Sequence, residues 1–150
     1  MKHTYFVFTM LLACTLTACK TDSHHYTQNA QKIVNAVNAK YPADKTTLVF
    51  IDAPEGYIAR KFNNTAVENR VDTGKVAAIV SSLALKTNTI IVAGENTQLN
   101  AITLTKALTL GKDKINGSKV ILIGAKEPHK TLADLAVANG VALEFIDSPI

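Results

Sequence analysis

Four short apolar runs, rich in β-branched residues, decide what this chain can fold into. They are Leu48-Val-Phe-Ile51, Thr89-Ile-Ile-Val-Ala93, Val120-Ile-Leu-Ile123 and Val141-Ala-Leu-Glu-Phe-Ile146. A strand with one wet face alternates apolar and polar residues. These runs do not alternate, so each belongs in a sheet covered on both faces, which means a parallel sheet.

Parallel neighbours need crossovers, and helical patterns lie between the runs. Val76, Ile79, Val80 and Leu83 predict a helix within residues 71–86. Leu99, Ile102 and Leu108 mark another over 99–110. Leu132, Leu135 and Ala136 mark a third over 128–139, with Pro128 in its first turn and Gly140 just past its end. A further amphipathic helix over 28–39 precedes the first run, carried by Ala30, Ile33, Val34 and Val37 and closed by Tyr41-Pro42. The order α-β-α-β-α-β-α-β predicts a small doubly wound α/β fold. Its sheet is four-stranded and mainly parallel, with helices on both faces, in the Rossmann-like or flavodoxin-like three-layer class. Crossovers should be right-handed, while the strand order stays open. Residues 54–64 fit no single element, since Tyr57 to Phe62 suits a short extra strand as well as a helical turn.

The first eighteen residues follow a different logic. Lys2 gives a positive start, Tyr5 to Leu16 is mostly apolar, and Thr17 and Ala18 are small. A run of about twelve residues is too short to span a bilayer, which takes about 20, but it suits an export signal. At the cleavage point stands Cys19, after Leu16-Thr17-Ala18. This resembles the lipobox of bacterial lipoproteins. The resemblance covers residues 1–19 and implies that Cys19 is cut free, acylated and held in the membrane by its acyl chains. Cys14, behind Leu11-Leu12-Ala13, is the rival position; the apolar run continues past it and ends at Lys20, which favours Cys19. Lys20, where Asp would retain such a protein in the inner membrane, leans toward the outer membrane, facing the periplasm. The expected organisation is a signal peptide over 1–18, a lipidated tether over 19–26 and one α/β domain over 27–150. The adjacent His24 and His25 in that tether read as solvated rather than as metal ligands.

Removing Lys2 with the signal leaves 15 basic against 12 acidic side chains, a charge of about +3. No basic run or aromatic cluster accompanies it, so nucleic acid is not an expected partner. Both cysteines are used up by the lipoprotein reading, which leaves no disulfide and no thiol for catalysis. With His129 alone in the domain, no zinc set can be assembled, and neither a metal nor a cofactor is expected. No Gly-x-Gly-x-x-Gly follows the first run and no Gly-x-Ser-x-Gly is present. Thr73-Gly74-Lys75-Val76 lacks the first glycine of a phosphate loop, because Asn69 stands there, and Val76 replaces the residue that meets magnesium. Ile51-Asp52-Ala53-Pro54-Glu55 is similar to a short motif of thermonuclease-like β-barrels, but their further arginine and glutamate positions have no counterpart.

Ligands of open parallel sheets bind beyond the carboxyl ends of the strands. That rule selects Asp52, Glu95, Asn96, Lys126 and Asp147, with His129 near them, as the candidate ligand-binding edge. Asp, Asn and Gly after a strand also serve as ordinary turn and cap residues, and no residue is assigned as catalytic. Two readings follow. The first is a lipid-anchored binding or scaffold module of an envelope complex, with an envelope protein as partner. The second is a small ligand-binding or hydrolytic enzyme using the Asp52/Glu95/Asp147 edge. The missing catalytic motifs put the first ahead.

Overall fold

The computed structural model describes residues 21–52, 71–124 and 130–146. The elements are α1 (Thr21–Lys40), β1 (Thr46–Ile51), α2 (Thr73–Leu85), β2 (Thr89–Gly94), α3 (Thr97–Leu110), β3 (Lys119–Ile123), α4 (Lys130–Ala138) and β4 (Ala142–Ile146). All four strands are parallel, with helices on both faces. This is the small α/β fold that the apolar runs predict. The stretch 54–64, left open above, lies outside the described residues.

The helices begin and end where their sequences provide substitutes for missing backbone partners. Asp72 caps α2, its Oδ1 accepting from Gly74 N–H at 2.7 Å. Asn96 caps α3 in the same way, accepting from Leu99 N–H at 2.9 Å. α4 stops in a Schellman turn: Val141 N–H donates to Ala136 C=O at 2.9 Å and Gly140 N–H to Val137 C=O at 3.0 Å. Gly140 takes the positive φ of 64° that this turn requires. Within the described residues α1 is helical from Thr21 onward, well ahead of Gln28, and so includes residues 21–26, expected as a tether. That polar stretch has no helical periodicity, but it has no Gly or Pro either, and extending an existing helix is far easier than starting one.

The strands lie in chain order, β1-β2-β3-β4. Two cores result, one on each face. On one side Val49, Ile51, Ile90, Val92, Val120 and Leu122 pack under α2, α3 and α4, which contribute Ile79, Leu83, Leu104, Leu108, Leu132 and Ala136. On the other, Ile91, Ala93, Ile121 and Ile123 meet Ile33 and Val37 of α1. The three crossover helices therefore share one face, and the leading helix supplies the third layer. One helix cannot cover four strands. The central β2 and β3 are buried almost throughout, whereas β4 exposes Ala142 and Glu144 on the α1 side. The fourth apolar run is thus only partly covered on the α1 side, where Ile146 alone packs against that core, which is why it tolerates Glu144. Glu144 pairs with Lys119 at 3.4 Å; both are about half exposed, so the pair adds little stability.

Candidate functional site

Three of the six residues selected from the sequence lie among the described residues, and the fold brings them to one edge. Asp52 follows β1, while Glu95 and Asn96 follow β2, whose last residue, Gly94, is in register with Ile51. Lys126, His129 and Asp147 lie outside the described residues, as does Cys19.

Two of the three have structural work. Asn96 is the cap of α3, as the turn-and-cap reading anticipates. Asp52 pairs with Lys75 of α2, Nζ to Oδ2 at 3.3 Å. Lys75 sits in the first turn of α2, so the Thr73-Gly74-Lys75 run serves as a helix start rather than a phosphate loop. Asp52 is mostly exposed, and the pair is worth well under about 1 kcal/mol.

Glu95 is different. Both of its carboxylate oxygens are shut off from solvent and accept no hydrogen bond from a described residue. Burial, and secondarily the negative charge of Asp52, raise its pKa above the ordinary value. Folded protein therefore keeps this proton to higher pH than the unfolded chain does. Below the ordinary value of 4.5 both states are protonated and Glu95 has no effect on stability. As pH rises from there through the folded value, the unfolded state ionises first and stability falls. Glu95→Gln should remove that fall. Melting temperature followed from acid to neutral pH should decline less in the variant, and the variant should be the more stable form at neutral pH. Equal slopes would show that the carboxyl is solvated.

Behind Glu95 lies a group that sequence reasoning missed. Asn100, on α3, is fully buried, and its Nδ2 donates to Gly94 C=O at 3.1 Å. Its Oδ1 has no donor among the described residues and occupies the space where a Cβ of residue 94 would stand. A polar residue in the first turn of a helix gives no sequence signal that it points inward.

The topology also limits what this edge can do. In doubly wound sheets the ligand crevice opens where neighbouring connections diverge to opposite faces. Here the connections after β1, β2 and β3 lead to helices on the same face, so no such divergence separates them. A shallow, open cavity lies elsewhere, between α2 and α3. It measures about 310 Å³ and is lined mainly by Val71, Val76, Val80, Leu110 and the stem of Lys106. Leu110 at its end is 74% exposed. Among the described residues no group of three His, Cys, Asp or Glu side chains can hold a metal ion, and no described helix is long and apolar enough to cross a membrane. No protein-family model matches the chain, and no curated protein or solved structure matches it either.

Proposed function

We propose that this chain is a lipid-anchored, periplasm-facing α/β binding or scaffold module of a bacterial envelope complex, held in the outer membrane by acyl chains on Cys19. The observation that carries the reading is Leu16-Thr17-Ala18-Cys19 at the end of an apolar N-terminal stretch. One acyl chain holds a protein weakly and two or three hold it firmly. At the strand edge, the employment of Asn96 as a cap and of Asp52 in an ion pair supports the same reading.

Processing of Cys19 tests it. Wild-type protein should partition into detergent with a mass that includes acyl chains. Cys19→Ser should accumulate as the longer, unacylated precursor. Normal cleavage before residue 19 in that variant would remove the anchor from this proposal.

Glu95 favours a second reading, a small ligand-binding or hydrolytic enzyme working at the Asp52/Glu95/Asp147 edge. A shielded carboxyl with a raised pKa is suited to giving or taking a proton. A divalent cation or nucleotide that raises the melting temperature of wild type but not of Glu95→Gln would favour this reading over the scaffold.

A further inference from the structure

The two edges of the sheet are not alike. β4 ends one side and carries Glu144, exposed and paired with Lys119. A charge on an edge strand discourages another strand from adding there. β1 ends the other side and reads Thr46-Thr47-Leu48-Val49-Phe50-Ile51. It has no charge, proline or glycine, and every residue but Leu48 is β-branched or aromatic. Of the devices that keep edge strands apart, its own residues provide none.

Its open backbone groups can be named. Lys45 C=O accepts from Thr89 N–H at 3.0 Å, so position 45 faces β2. Backbone groups of successive strand residues point to alternate sides, so Thr46, Leu48 and Phe50 turn theirs outward. Among the described residues no strand pairs with that side. Leu48 and Phe50 are only partly buried against the α1 core, so an apolar rim follows the same edge. On the opposite face, Lys75 reaches Asp52 just beyond β1. The side of α2 bearing residues 75, 78 and 82 therefore looks toward this edge. Its Ala78 and Ser82 are small enough to let a neighbour approach.

We propose that β1 is a self-association surface: the β1 strands of two copies pair antiparallel about a two-fold axis at Val49, joining two sheets into one of eight strands. Directly opposite residues in such a pair share a face, so Leu48 of each copy meets Phe50 of the other on the α1 side. Thr47 meets Ile51 on the side of α2. Apolar and aromatic residues opposite each other stabilise a strand pair. Leu48 and Phe50 both turn their backbone groups outward, so each Leu48–Phe50 pair exchanges two hydrogen bonds. One patch meeting itself is the isologous contact of a closed dimer. The proposal does not rest on the lipid anchor, and the acylation of Cys19 is decided separately.

The full chain purified in detergent should carry two copies per particle by light scattering coupled to gel filtration. Leu48→Lys and Phe50→Glu should each give one copy, with the circular dichroism spectrum of wild type. A lysine stem at position 48 can lie along the apolar rim while its charge reaches water. Mixing the two variants should restore two copies, because Lys then faces Glu across the interface. Val49→Cys keeps a small apolar side chain and should link to its own copy under mild oxidation, above the wild-type background. This last result keeps the proposal testable if either charged variant fails to fold. A wild-type particle of one copy, as when residues 53–70 cover β1 instead, overturns the proposal. So do a two-copy particle that survives both charged variants, a mixture that stays at one copy, and a Val49→Cys chain that does not cross-link.

Discussion

Gly94→Ala should destabilise the domain by roughly 3 kcal/mol, the upper part of the range for forced overpacking. For a domain of this size that lowers the melting temperature by roughly 10 °C. The reason is local. A Cβ at position 94 would overlap the carbonyl oxygen of Ile51, on the adjacent strand, and the Oδ1 of Asn100. Ile51 cannot retreat without breaking the register in which it faces Gly94. Asn100 cannot retreat because it is fully buried and bonded to Gly94 C=O. Glycine is therefore required here for close approach, not for a special backbone angle. Denaturant melts check this directly. Adding Asn100→Ala to Gly94→Ala should recover only part of the loss, since the clash with Ile51 remains. An unchanged midpoint in Gly94→Ala would mean that the strands do not come this close.

Ile121→Ala should cost roughly 2–5 kcal/mol, as for other large core truncations. Ile121 is 2% exposed on the α1 side of β3, in one cluster with Ile33 and Val37. Its effect should couple to that of Ile33→Ala, because the two side chains share a core. It should add independently to that of Leu104→Ala, which empties the core on the other face. The two cycles together test whether α1 forms a separate layer. Equal coupling in both would mean that the sheet does not divide the core in two.

Much of this arrangement was legible in the residues. Runs such as Val120 to Ile123 are too continuous for a half-wet strand and too short and β-branched for a helix. Gly140 and Pro42 mark helix ends because their backbone preferences leave little choice. The strand order was not legible, since a right-handed crossover can add the next strand on either side of the last. Coverage of β4 was misjudged even though Glu144 interrupts the fourth run, because the strand pattern alone cannot say how far one helix reaches across a sheet. At the candidate edge, Asp52 and Glu95 were placed correctly by the rule of strand ends. That Asp52 would meet Lys75 was not, since the pair depends on where α2 begins after a connection of some twenty residues. Asn100 was invisible for a simpler reason. Its burial follows from the packing of α3 over β2, which no local pattern encodes.

The chain-order sheet also bears on how the domain assembles. Every strand lies beside its immediate successor, with partners 43 residues apart from Thr46 to Thr89, 30 from Ile90 to Val120 and 23 from Lys119 to Ala142. No pairing waits for a distant segment to return and insert between two others, and closing each of these loops costs similar entropy. Assembly can begin at β2, α3 and β3, which hold most of the fully buried residues, and spread outward to both edges. Loss of structure should run in reverse. Amide hydrogens of β4 should exchange with solvent by local opening, while those of β2 should exchange only when the whole domain unfolds. The domain thus behaves in time as a short stack of repeating units, opening from its edges and closing from its centre.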